Sequence, residues 1–272
     1  MVRTAAAWIG FDDPRSSDVR FLEEAARLGS LRVWLASDEA LAAAGRPSRF
    51  PEAERAYFLR SIRHVDEVRV ARWRLDAAPD FGPSRPIWVV GEDDDSPGTR
   101  ARCRAAGLQY HVVPREAMAG FPPSPAIPLK RGQARVIVTG CFDWLHSGHV
   151  RFFEEASRFG HLHVIVGHDE NVRMLKGPGH PMLPAEERRY MVGAIRAVHR
   201  ALVSTGRGWV DAEPEIADIR PDVYVVNEDG DRREKREFCA HHGIRYVVLS
   251  RRPQDGLPRR TSTELRRRWV ER

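Results

Sequence analysis

Apolar residues along this chain fall into short runs, separated by longer stretches in which they recur every three or four positions. In the second half, Arg135–Thr139 (RVIVT), Leu162–Val166 (LHVIV), Asp222–Val226 and Tyr246–Leu249 have the length and β-branched character of buried parallel strands. Between them the spacing predicts a helix from Val150 closed by Gly160, a helix over Ala185–Val198 led by Pro184, and a helix over REKREFCAHHG. Strand and helix alternating at this interval imply an α/β, Rossmann-like unit: a parallel sheet with helices on both faces, whose ligands sit beyond the carboxyl ends of the strands.

The pattern occurs twice. Residues 9–39 laid over 140–170 agree at 15 of 31 positions, from IGFDDPRSSDVRFLEEAARLG against GCFDWLHSGHVRFFEEASRFG onward. PEAERAYFLRSIRHV then falls on PAEERRYMVGAIRAV, and Val89-Val90, Cys103, Gly107 and Tyr110 fall on Val225-Val226, Cys239, Gly243 and Tyr246. A period of about 130 residues means two whole domains rather than a solenoid repeat. MAGFPPSPAIPLKRGQ at 118–133 carries four prolines and no periodic pattern, so it reads as a linker. The expected organisation is a domain over 1–117, the linker, and a second domain over 134–272.

Composition narrows the function classes. With 42% apolar residues, each half of the 272-residue chain can bury a core. Of the 44 basic residues, only Lys130, Lys176 and Lys235 are lysine. The net charge of +6 suits anionic ligands but, with the arginines scattered, supplies no nucleic-acid recognition motif. Cys103, Cys141 and Cys239 are far apart and odd in number, which argues against a disulfide framework and a structural zinc site. The opening MVRTAAAWIGFDDP lacks a signal-peptide core and no apolar run approaches membrane-spanning length, so a cytoplasmic protein with no membrane partner is expected.

The candidate chemistry lies in GCFDWLHSGH, residues 140–149, between the first strand and first helix of the second half. His146 and His149 flank Gly148, which lets the backbone approach a ligand, and a helix N-terminus points at the same place. A capping turn or a metal site is the competing reading; no further Cys or His arrangement completes a zinc site.

This segment resembles the HxGH signature of the cytidylyltransferase-like nucleotidyltransferases, and its GCFD lettering and tandem layout are similar to the ethanolamine-phosphate cytidylyltransferases. The resemblance covers 135–268 by motif and the first half only through the repeat. It implies that Gly140, Cys141, Phe142, Asp143 and Gly148 surround the nucleotide, with Asp143 near the triphosphate and its metal. It implies further that His146, His149 and Lys176 act on the phosphates, and that Arg188 is the arginine of the following helix. Asn227 and Asp229 would lie by the base and ribose, and Arg260, Thr261, Ser262 and Thr263 would form the closing phosphate-touching element. The family arginine that precedes that element could be Arg251, Arg252, Arg259 or Arg260.

In the first half, Arg15 and Asp18 stand in place of the two histidines, and Lys176 and STELR have no counterpart; only Asp12 survives. That half is expected to be catalytically dead. The resemblance implies transfer of a nucleoside monophosphate, CMP ahead of AMP, from a triphosphate carrying Mg²⁺ to a phosphorylated small molecule, with pyrophosphate leaving. An ATP-using adenylyltransferase or a non-catalytic nucleotide sensor are the alternatives. Because single-domain relatives commonly pair as symmetric dimers, the two halves are expected to form an intramolecular pseudo-dimer, compatible with a monomeric chain.

Overall fold

Each apolar run pairs as a parallel strand, the arrangement that lets such runs be covered on both faces. The structure, a computed structural model, describes residues 3–72, 81, 85–123, 127–130 and 132–270, with the backbone alone for 268–270. The chain divides into two units, Met1–Gly120 and Phe121–Arg272. Of the expected linker, residues 124–126 and 131 lie outside the described residues.

The first unit runs β1 (Thr4–Ile9), α1 (Ser16–Ala26), β2 (Ser30–Ala36), α2 (Asp38–Ala43), α3 (Glu52–Ser61), β3 (Glu67–Ala71), β4 (Ile87–Gly91), α4 (Pro97–Ala105) and β5 (Gln109–Val113). The second runs β6 (Arg135–Gly140), α5 (Ser147–Ala156), β7 (His161–Val166), α6 (Asp169–Lys176), α7 (Ala185–Gly193), β8 (Arg200–Val203), α8 (Glu213–Ile219), β9 (Val223–Asn227), α9 (Arg233–His241), β10 (Arg245–Leu249) and α10 (Ser262–Val270). Among the described residues the strands form two five-stranded sheets, ordered β3-β2-β1-β4-β5 and β10-β9-β6-β7-β8, parallel throughout. Both are α/β Rossmann-like sheets with one strand order. In each, order reverses beside the first strand, β1 or β6, which opens a crevice at the carboxyl end. Right-handed crossovers place α5 on one face of the second sheet and α9, whose connection runs the other way, on the opposite face.

Two expected helices are revised. Helix α5 begins at Ser147, not Val150, because His146 caps it: its Nδ1 accepts from the Gly148 N–H at 3.1 Å. Helix α7 stops at Gly193 rather than Val198. Ile195 and Val198 are fully buried by successive turns instead, which suffices to give them helix-like apolar spacing. The linker's leading residues are fastened: the Phe121 and Pro122 carbonyls accept from Arg189, and the Phe121 ring lies against Tyr190.

What holds the crevice in each unit is a buried arginine. Arg188, on α7, is 0% exposed; it donates to the carbonyls of Leu183, Cys141 and Gly167 and to the Asp169 carboxylate. Arg55, on α3, donates to the carbonyls of Phe50 and Gly10 and to Asp38, its neighbours at the equivalent places. A carboxylate completes the frame: Asp143 accepts from the Met182 and Leu183 N–H groups, as Asp12 does from those of Arg49 and Phe50. The carbonyls at the strand ends and the following loops would otherwise be unsatisfied or wet. A planar, five-donor guanidinium can gather them at once, whereas an ammonium cannot.

Arg188→Lys and Arg55→Lys are each expected to lower stability by about 2–4 kcal/mol in urea denaturation, the cost of orphaning buried acceptors and a buried charge. A loss below about 1 kcal/mol in either variant would show that the guanidinium fork is not what holds the loops.

Candidate active site

The cleft of the second unit, about 470 Å³, lies over the carboxyl ends of β6, β7 and β9. Its entrance from β6 is shaped by two close approaches. A Cβ on Gly140 would stand 2.7 Å from the Phe142 ring, and one on Gly148 would stand 2.9 Å from the His146 ring. Phe142 itself sits in the left-handed region at φ 51°, where its buried ring meets Phe153 and the edge of His149. That unusual backbone costs on the order of 1–2 kcal/mol, offset by the ring's burial. Phe11, at φ 50° in the first unit, adopts the same conformation.

His146 and His149 stack with ring centroids 4.0 Å apart at the N-terminus of α5. His146 is 3% exposed. Since its Nδ1 accepts from Gly148, the neutral ring carries its proton on Nε2. That Nε2 and the His149 Nδ1 are buried with no hydrogen-bond partner among the described residues. Burial, and then the charge of Arg251 and Lys176, pushes His149 down to about 3; a Trp144 backbone hydrogen bond opposes this. His146 is also held well below the usual histidine range, by burial first and then by His149, Arg251 and Arg260. Both are therefore neutral at physiological pH, and each leaves a ring nitrogen open at the free N–H end of a helix.

The remaining sequence candidates divide between the cleft and its frame. Lys176, exposed at the end of α6, lines the cleft, as do Asn227, Ser262 and Thr263. Asp143 lines it too, and its carboxylate anchors a loop by accepting from the Met182 and Leu183 N–H groups, with His180 at 3.4 Å. Cys141 gives its carbonyl to Arg188, and burial raises its thiol, so it is not poised as a nucleophile. Arg188 does not reach the cleft, because its donors are spent on the frame. Thr261 uses its hydroxyl to cap α10 at the Glu264 N–H.

Of the four candidate arginines, Arg251 lines the cleft, and Arg260, Arg252 and Arg259 do not. Arg251 bridges the Asp229 carboxylate and the Arg260 carbonyl, which fixes Asp229 as its ion-pair partner. The first unit keeps the same pair as Arg115 and Asp93. Sequence reasoning missed several cleft residues: Asn171, Trp209, Arg266, and Thr139 with Lys235, behind which the buried Tyr224 hydroxyl bonds Thr139. Lys235 was marked only as one of three lysines.

The first unit's crevice, about 630 Å³, is furnished differently. Asp18 accepts from the Arg15 backbone N–H at 2.8 Å, so a carboxylate already occupies the N-terminal end of α1. The equivalents of Thr139 and Tyr224 are Trp8 and Trp88.

Known proteins resemble the second unit's stretch of sequence. The family described as Cytidylyltransferase-like matches residues 137–268. An FAD synthase of Thermococcus kodakarensis is 40% identical over 123 residues, 44% of this chain and 80% of that protein. The bifunctional protein HldE of Methylococcus capsulatus is 43% identical over 105 residues, 38% of this chain; the chain spans only 22% of that protein. A lipopolysaccharide core biosynthesis protein from Thermoplasma volcanium aligns in structure over 46% of this chain and 100% of its own, at 24% identity and a TM-score of 0.39. With the HxGH turn set at the switch point of a parallel sheet and an FAD synthase matched over most of its length, the chain belongs to the cytidylyltransferase-like family of nucleotidyltransferases.

Proposed function

We propose that the second unit transfers a nucleoside monophosphate from a triphosphate to a phosphorylated small molecule. An acceptor phosphate oxygen attacks the α-phosphorus, the bond to the bridging oxygen of the β-phosphate breaks, and pyrophosphate leaves. The observation that carries this reading is the pair of buried, neutral imidazoles, stacked at a helix N-terminus, each with a ring nitrogen that has no partner among the described residues. A dry donor of that kind is of little use to the folded protein alone. It suits an oxyanion whose charge grows in the transition state.

In this scheme His146 and His149 act on α-phosphate oxygens, and Lys176 with the α10 residues Ser262, Thr263 and Arg266 holds the leaving phosphates. Mg²⁺ enters as part of the substrate, on the nucleotide's phosphates. No covalent enzyme intermediate is required, consistent with a raised Cys141 thiol. On the donor base two observations pull apart. The GCFD lettering and tandem layout favour CTP, whereas the likeness to FAD synthases, whose product contains an adenylate, favours ATP. The first unit, with Asp18 at its helix terminus and no cation in place of Lys176, serves in this proposal as an inactive copy.

Pyrophosphate release measured with each of the four triphosphates and a panel of phosphorylated acceptors tests the reaction class; no release with any pair would refute it. Within that assay His146→Ala and His149→Ala should each lower kcat by about 10²–10³-fold, the loss of an oxyanion donor, with the fold retained although His146→Ala also removes the α5 cap at a cost of about 1 kcal/mol. Arg15→Ala and Asp18→Ala should leave kcat/KM within about threefold, well under the tenfold that corresponds to one lost hydrogen bond of about 1.4 kcal/mol. Two nucleotides bound per chain in calorimetry would contradict the inactive first unit.

Histidines kept neutral also set a pH dependence of stability. The unfolded chain takes up protons at these residues below about pH 6.5, whereas the folded chain resists until near pH 3 at His149. Stability should therefore fall as pH drops below about 6.5, and His149→Gln should flatten part of that fall in thermal denaturation. An unchanged slope would mean that His149 is not the buried neutral group.

A further inference from the structure

The cleft floor holds a cation that the proposed handling of the triphosphate does not use. Lys235 is 8% exposed, on α9. Its ammonium donates to the Thr139 hydroxyl at 3.1 Å and lies 5.7 Å from the centre of the Tyr224 ring, while the Tyr224 and Thr139 hydroxyls are bonded at 2.6 Å. Among the described residues that is its one hydrogen bond, which leaves two ammonium N–H groups open, although an ammonium so buried needs partners. The carboxylate that acts on it most, Asp211, accepts from Ser204 at 2.6 Å, and among the described residues it forms no ion pair with Lys235. Burial accordingly draws the lysine below its ordinary range, partly countered by Asp211.

Three further facts fix what such a group is for. Lysine is scarce in this chain, and two of the three, Lys176 and Lys235, line this one cleft. The first unit, which lacks the histidines, has lost this cluster as well: Trp8, Trp88 and Thr99 stand where Thr139, Tyr224 and Lys235 stand here. Trp88 is buried there in an apolar cluster with Trp8 packed against it. The polar cluster is thus not needed to build the sheet, and it is present in the unit that keeps the HxGH histidines.

Placement separates it from those histidines. Ile137 is in register with Tyr224 across β6 and β9, and Thr139 shares their face of the sheet, the face covered by α8 and α9. The imidazoles come from α5 on the other face. In-line displacement at phosphorus requires attacking and leaving oxygens on opposite sides of the reacting centre, so a cleft serving two anions needs cations on two sides.

We infer that Lys235, seated by Thr139 and Tyr224, receives the phosphate of the acceptor substrate, and that this subsite is distinct from the one that holds the nucleotide. The inference rests on the nucleotidyl-transfer reading for the word acceptor. Its direct content is an anion site at Lys235 that fills beside a bound nucleotide. The cation there offsets the repulsion between two phosphates brought to attacking distance and fixes the acceptor's oxygen toward the cleft.

The test uses the full chain and inorganic phosphate as the probe. Calorimetry with the α,β-methylene analogues of ATP and CTP gives the nucleotide affinity. Phosphate is then titrated into protein saturated with the better analogue, which blocks the pyrophosphate positions. Lys235→Gln and Lys235→Met, checked for folding by circular dichroism, should weaken phosphate binding at least about tenfold, as for loss of a charge-assisted hydrogen bond, and leave the analogue's affinity within about twofold. Lys235→Arg should retain most of the phosphate affinity. An equal loss of analogue affinity would assign Lys235 to the triphosphate. Unchanged phosphate binding would remove the anion from Lys235 altogether. Either result overturns the subsite while leaving the reaction class to the pyrophosphate assay, which these measurements do not touch.

Discussion

The carboxyl end of a parallel sheet is where this fold binds ligands, and it is also where loops must turn with their carbonyls unsatisfied. A single buried guanidinium resolves that conflict in each unit. Arg188 joins the ends of β6 and β7, the loop before α7 and the first residue of α6; Arg55 does the same in the first unit. Everything placed at the cleft hangs from loops that this group ties: the Gly140–Phe142 turn, the His180–Leu183 segment gripped by Asp143, and the start of α6 that leads to Lys176. The geometry of the cleft is thus set by a residue that does not line it.

Comparing the two units sorts residues that a motif presents as one set. Asp143, Arg188 and the Asp229–Arg251 pair recur as Asp12, Arg55 and Asp93–Arg115, with the same partners, in a unit without the histidines. Groups that survive the loss of the histidines are answering to the fold. His146, His149, Lys176, Lys235 and the α10 residues have no such counterparts; His149, Lys176, Lys235, Ser262, Thr263 and Arg266 line the cleft, and His146 stacks on His149 behind it. In the family signature, framework and chemistry are interleaved letter by letter.

Much of this was legible in the sequence because parallel strands buried on both faces leave continuous apolar runs, and because an internal repeat shows twice where the elements are. The HxGH turn was legible for the same reason: glycine and histidine at a strand–helix junction have few structural uses. The burial of Arg188 was not legible, since an arginine on a charged helix reads equally as a solvated face. Its role depends on carbonyls 5, 21 and 47 residues away in the chain. Lys235 was hidden likewise. It lies on a helix, and its partners Thr139 and Tyr224 come from two strands, β6 and β9, that only strand register brings together.

The carboxylate of Asp18 in the first unit has a meaning beyond a missing histidine. Bonded to the first N–H of its own helix end, it acts as a tethered competitor, present at every moment at an effective concentration on the order of millimolar or above. A free phosphate at cellular levels would have to displace a group that pays no translational entropy to return and carries the same sign of charge. In the inactive copy proposed above, one side chain would thus do two jobs at once, satisfying the helix end and excluding an anion, and restoring a histidine at position 15 alone would leave that carboxylate in place.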